Sequence, residues 1–211
     1  MSSHPPEVLF CLSSHCPHCP AMLQILTDMV KQGALGRLEI VNLEADPESA
    51  RAWGVHTVPW LRVDAFELTG LRSRDEILRL IERSASPSGM ADHFHDLLKG
   101  GELAQVLATV VRHPERLADL LPIVANPEAS INVRIGAGVV FEEFSGQPGL
   151  QALVGKLGEL SGHGDARVRA DASHYLGLTK SDEAKPYLVR RLQDDDAMVR
   201  EIAEESLTAL G

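Results

Sequence analysis

Apolar positions along the chain follow two regimes that meet near residue 84. In the first, short strand-like runs alternate with helical stripes. EVLFCL, residues 7–12, is a brief β-prone apolar run of the kind that forms a buried strand. From Ala21 the positions Met22, Leu23, Ile25, Leu26, Met29 and Val30 keep a helical spacing that Gly33 stops. RLEIVNLE, 37–44, reads as a second strand, and Asp46-Pro47 opens a short helix, PESARAW, closed by Gly54. PWLRV and AFELTG form a hairpin about Asp64-Ala65. Ser73 with Glu76 three residues on makes a capping box for a helix running to about Ser84. The predicted order is β-α-β-α-β-β-α.

SASPSG, 84–89, is a break of small residues and the best domain boundary. Beyond it the pattern contains helical runs of 10 to 15 residues and no strand. INVRIGAGVVFEEF (131–144), ARVRADASHYLGLT (166–179) and AMVREIAEESLTAL (197–210) align without gaps, each with Val-Arg at its third and fourth positions. The arginines, Arg134, Arg169 and Arg200, lie 35 and then 31 residues apart. Each segment follows a polar break (NPEAS, SGHGD, QDDD), and each break follows another apolar helix. This repeat resembles the HEAT-repeat family over residues 114–211, with 91–112 as an atypical capping pair. A lone helix pair cannot bury its apolar face, so such pairs stack into a solenoid. The resemblance implies that the repeated arginines bond acids or carbonyls of a neighbouring turn, with Asp165 for Arg169 and Asp195 or Asp196 for Arg200. It implies a structural role for them and a partner-binding role for the array.

Composition narrows the function classes. Thirty acidic against 20 basic residues give a formal charge of −10, with no basic cluster. That balance disfavours a phosphate backbone or an anionic membrane as partner. The first residues lack a positively charged n-region, and Val8–Leu12 is too short for a signal core or a membrane span, which leads to the expectation of a cytoplasmic protein.

The three cysteines, Cys11, Cys16 and Cys19, lie in the first tenth of the chain and cannot form a disulfide framework. In a reducing compartment a C-x-x-C pair is catalytic or metal-binding. His15, Cys16, His18, Cys19 and His4 are suitable zinc ligands, yet a structural zinc site normally needs a second ligand pair, and no cysteine follows Cys19. The dithiol reading instead uses the order strand, Cys-Pro-His-Cys, helix, strand. Unpaired N–H groups and the positive dipole end of a helix favour a thiolate. Cys16 would sit at that end with its sulfur exposed, and Cys19 beneath it, within disulfide reach. Pro17 suits a first helical turn because it has no N–H to lose. His18, between the cysteines, would lower the Cys16 pKa below its free value of ~8.5. Cys11 reads as a small apolar residue of a core strand.

Val58-Pro59 stands before the third strand, 43 residues after Cys16. With it, the segment from Cys16 to Leu80 resembles the thioredoxin superfamily in its compact form. The resemblance implies a cis Pro59 packed against the dithiol, with Val58 offering backbone groups to a bound polypeptide. The sequence departs from the thioredoxin pattern at three places. Phe10 occupies the position of a buried acid beneath the dithiol, His15 replaces the usual Trp, and Trp60 stands where thioredoxins carry Thr.

The sequence thus predicts an α/β thioredoxin-like domain over 1–84, a linker over 85–90 and an all-α HEAT-like solenoid over 91–211. The implied activity is thiol-disulfide exchange on proteins. Cys16 and Cys19 are its catalytic pair, Pro17 and His18 tune the pKa, and Val58, Pro59 and Trp60 contact substrate. Partners are a protein client carrying a disulfide or dithiol, and a thiol reductant or reductase. No nucleic acid, membrane, cofactor or metal is expected. The alternative is an interaction scaffold that senses redox state or binds metal without turnover.

Overall fold

The computed structural model of the chain describes residues 6–210. They form two compact units, one through His93 and one from Phe94. The first is an α/β sheet domain and the second is helical.

In the first unit a four-stranded sheet has the order β2-β1-β3-β4. The central strand β1 (Glu7–Leu12) is buried from Val8 to Cys11, as its unbroken apolar run requires of a strand covered on both faces. It pairs in parallel with β2 (Arg37–Asn42), Leu12 opposite Asn42, and antiparallel with β3 (Trp60–Val63), Cys11 opposite Trp60. β3 returns through Asp64-Ala65 into β4 (Phe66–Thr69), with Asp64 at φ 52°. Aspartate tolerates that left-handed conformation better than most residues.

The helices begin and end where their caps dictate. α1 (Cys19–Lys31) buries Cys19, Met22, Leu26 and Met29, a single stripe at helical spacing. α2 (Pro47–Trp53) starts at Asp46, whose carboxylate accepts from the Ser49 N–H at 3.2 Å and the Ser49 hydroxyl at 2.6 Å. It stops at Gly54 in the left-handed region. α3 (Arg74–Ser84) carries the full capping box: Ser73 Oγ accepts from the Glu76 N–H, and Glu76 Oε2 accepts from the Ser73 N–H at 2.8 Å. Ser73→Ala should destabilise this unit by about 1 kcal/mol. Urea unfolding checks the value, and no loss would mean that the box only decorates an end fixed by Ile77 and Leu80.

α4 (Gly89–Lys99) and α5 (Leu103–Arg112) precede the repeats, and α5 packs on α7 (Ile131–Glu143). The long second helices of the repeats are α7, α10 (Ala166–Leu178) and α12 (Ala197–Leu210), coincident with the three aligned segments. Their first helices are short and broken. A 3-10 turn at Pro114–Leu120 leads into α6 (Leu121–Val124), α8 (Pro148–Gln151) precedes α9 (Val154–Leu160), and a second 3-10 turn at Asp182–Ala184 precedes α11 (Lys185–Arg191). A proline in the first turn of α6 and of α11 accounts for the break before each, whereas Pro148 opens α8. α10 packs against α9, α7 and α12, which is the stacking that buries each pair. At one crossing the Tyr187 ring occupies the space a Cβ at Gly158 would need, so α9 approaches α11 at that point through glycine alone.

The repeated arginines bond acids and carbonyls as expected, Arg200 reaching Asp195 through its carbonyl, but Arg169 takes other partners than the one expected. Arg169 does not take Asp165. Its Nε and Nη2 grip Asp194 at 2.9 and 2.7 Å, Nη2 also reaches Asp195 at 2.7 Å, and Nη1 donates to the carbonyls of His163 and Gly164. Asp165 instead caps α10 through the Arg167 N–H and pairs with the Arg167 side chain. Arg200 donates to the carbonyls of Asp194 and Asp195, leaving the Asp196 carboxylate to cap α12. Arg169 and Arg200 thus share one local geometry, a reach back to carbonyls six and five residues earlier. Arg134 departs from it and pairs with Asp171 on α10 at 2.6 Å.

Candidate functional site: the dithiol loop

Between β1 and α1 the chain makes a tight turn in which the Cys16 N–H donates to the Ser13 carbonyl at 3.3 Å. Cys16 and Cys19 are joined by a disulfide with their Cα atoms 5.4 Å apart. The helix begins at Cys19, later than its proline suggested: Pro17 lies in the turn, and Pro20 fills the first-turn position. The first helical bond runs from the Met22 N–H to the His18 carbonyl. Of the N-terminal N–H groups without a partner inside the helix, that of Cys19 points at the Cys16 sulfur, 3.1 Å away. That bond and the helix dipole favour negative charge on Cys16. Cys16 is partly exposed, whereas Cys19 is 2% exposed. His18 occupies the cap position, exposed, and its side chain makes no capping bond.

A clasp that the sequence did not reveal holds the turn. Asn42 Nδ2 donates to Ser14 Oγ at 3.1 Å, and Asn42 Oδ1 accepts from the Glu44 N–H at 3.0 Å. Glu44 Oε1 lies 3.2 Å from His15 Nδ1. Hydrogen bonds from Ser14 first, and then from His15, hold the Glu44 carboxyl below its ordinary value. Ser14 and Asn42 are 28 residues apart in sequence, and only the parallel register of Leu12 with Asn42 makes them neighbours.

The Val58–Pro59 peptide is cis. The Pro59 carbonyl accepts from the Gly70 N–H at 2.8 Å. Because Trp60 pairs with Cys11 near the end of β1, the proline loop and the dithiol turn leave the sheet at the same end. Val58 is half-buried against a cluster of Leu9, Cys11, Val55 and Trp60. The Trp60 ring is itself core, 3% exposed, and shares the Arg62 guanidinium with Trp53 at 5.8 Å from each ring. Phe10 is fully buried, and strand alternation sets it on the face opposite Cys11.

Cys11 is fully buried, and burial pushes its thiol up to about 11, against a smaller downward pull from Arg62. A thiol held that high carries almost no thiolate near neutrality. Iodoacetamide at pH 8 should therefore leave Cys11 unlabelled in the folded, reduced protein and label it only after denaturation. Intact-mass analysis reads this directly, and native labelling at Cys11 would refute it. Among the described residues, no group of three or more His, Cys, Asp or Glu is arranged to hold a metal ion. His4, weighed above as a ligand, lies outside the described residues.

A C-x-x-C disulfide at a helix start, a cis proline loop at the same end of the sheet and a β-α-β-α-β-β-α order define the first unit as a thioredoxin-fold domain; stacked helix pairs define the second as a helical repeat array. Comparison with protein families agrees. Residues 7–82 match the thioredoxin domain and residues 117–208 match HEAT repeats. A search of curated proteins finds none that matches. Among the described residues no helix is long and apolar enough to cross a membrane.

Proposed function

We propose that the protein is a thiol-disulfide oxidoreductase acting on protein disulfides, with the repeats holding a client or partner. The observation that carries this reading is the asymmetry of the pair: an accessible Cys16 sulfur receiving an N–H bond, above a buried Cys19. In the reducing direction the Cys16 thiolate attacks one sulfur of the client disulfide. A mixed disulfide forms and the other client sulfur leaves as a thiolate, which takes up a proton. Cys19, deprotonated, then attacks Cys16 Sγ, which releases the second client thiolate and closes the Cys16–Cys19 disulfide. Two electrons pass to the client, and an external dithiol restores the pair. The same steps reversed oxidise a client dithiol.

On this reading a client backbone lies along Val58 and the cis Val58–Pro59 peptide, which leaves the sheet at the same end as the dithiol turn. Trp60, being buried, supports that surface from beneath. Turnover is the test: catalytic amounts of protein with dithiothreitol should reduce many equivalents of insulin. A single equivalent per molecule would leave a redox-sensing scaffold as the function.

A further inference from the structure

Among the described residues Glu44 is the one acid bonded to the dithiol turn. Its carboxylate is held by the Ser14 hydroxyl, by the His15 ring at 3.2 Å and by the Ser14 backbone N–H, bonds that keep it ionised wherever a thiol titrates. Its place is fixed from behind. Asn42 Nδ2 donates to Ser14 Oγ, which leaves that hydroxyl's own proton for Glu44, and Asn42 Oδ1 accepts the Glu44 N–H. Asn42 in turn ends β2, and its carbonyl accepts from the N–H groups of Ala45 and Asp46 at 3.1 and 3.0 Å. The neighbouring acids are engaged elsewhere, Asp46 with Ser49 and Glu48 with Arg51. Residues 13–20 contain no lysine or arginine.

Ser14 and His15 are the two residues before Cys16, whose N–H turns back to the Ser13 carbonyl. Two residues span at most about 7 Å, so the carboxylate stands roughly one Debye length, ~8–10 Å, from the Cys16 sulfur. At that range a fixed negative charge opposes the formation of a second. The Cys19 N–H and the helix end favour the thiolate, and Glu44 acts against them. We propose that Glu44 is a positioning residue of the dithiol: its clamped carboxylate restrains the Cys16 thiolate and keeps the pair more reducing than its helix-end setting alone would make it. This deepens the oxidoreductase reading and rests on it. A less stabilised thiolate makes the reduced pair less stable relative to the disulfide, and so the stronger reductant. The His15 ring is the basic group that faces the carboxylate, and any charge it takes up offsets that of Glu44.

The test is the pH profile of Cys16 alkylation by iodoacetamide in the full, reduced chain, read by peptide mass at low salt. Glu44→Gln removes the charge and keeps an acceptor oxygen for Ser14. It should lower the midpoint by about 0.3 to 0.5 pH unit and leave the melting temperature unchanged. The equilibrium constant for oxidation of the pair by glutathione disulfide should fall about two- to threefold with it. Asn42→Ala keeps the charge but frees the carboxylate from the turn, and should give part of the same shift. Salt at ~1 M should erase most of the difference between Glu44→Gln and the wild-type chain, because the effect is a charge at a distance. An unchanged or raised midpoint in Glu44→Gln, or a shift that persists at high salt, overturns the proposal. The alkylation assay uses no disulfide client. Insulin turnover without the shift would therefore reject this role alone, and the shift without turnover would reject the oxidoreductase reading alone.

Discussion

Replacing Cys16 with serine should remove all catalysed reduction of insulin disulfides, leaving only the slow reaction of the reductant itself. Cys19→Ser should also end turnover but preserve the first step, so that a mixed disulfide with the substrate accumulates. The difference follows from the two sulfurs' surroundings. Cys16 is accessible and receives the Cys19 N–H, so its thiolate is both stabilised and free to attack. Cys19 is buried beneath it and meets a disulfide only once Cys16 has formed one. A serine hydroxyl at position 16 is protonated near neutral pH and has no base bonded to it. The check is a paired assay: insulin precipitation for turnover, and a non-reducing gel for the trapped adduct. Full activity in Cys16→Ser, or trapping by Cys16→Ser in place of Cys19→Ser, would reject the assignment of roles.

Arg169→Ala should cost the repeat unit about 3 kcal/mol, well beyond Arg134→Ala at about 1 kcal/mol. Both arginines open second helices at equivalent positions, so the sequence alone gives no reason to separate them. The Arg169 side chain is 10% exposed and grips an Asp194 that is 2% exposed, whereas the Arg134–Asp171 pair is exposed by a fifth to a quarter. Removing Arg169 strips a buried carboxylate of its bidentate partner and two loop carbonyls of their donor. Arg191 still reaches Asp194 at 3.1 Å, which keeps the loss at the lower end for a broken buried pair. The exposed contact to Asp195 adds little. The same network sets a pH dependence. Hydrogen bonds from Arg169, against the opposing effect of burial, hold the Asp194 carboxyl down to about 2 from 3.8. A depressed carboxylate stabilises the fold above its unfolded value, and that stability drains as pH falls through the window from about 4 to about 2. Asp194→Asn should flatten this part of the stability profile in urea titrations. An equal loss for the two arginine variants, or an unchanged acid limb in Asp194→Asn, would remove the network from this role.

Signals that act within a helical turn were legible in the chain as written. Asp46-Pro47 and Gly54 bounded α2, and Ser73 with Glu76 started α3, because a cap is satisfied by residues two to four positions away. The gapless Val-Arg segments located α7, α10 and α12 for a related reason: each repeat meets the same local demands. Cys-Pro-His-Cys likewise carried its own pairing, since residues three apart at a helix start lie within disulfide reach. The start of α1 was misjudged because both Pro17 and Pro20 suit a first turn, and the bond from Cys19 N–H to the Cys16 sulfur favours the later start.

Sequence by itself determined the two regimes of patterning, the dithiol with its proline downstream and the repeat helices. Each depends on bonds or apolar stripes closed within a few residues. Tertiary structure alone decided that Asn42 and Glu44 clasp the turn before Cys16, that Arg169 bypasses Asp165 for Asp194, and that Trp60 belongs to the core. These contacts join residues some 25 to 50 positions apart, where strand register and helix stacking, not local preference, choose the neighbour.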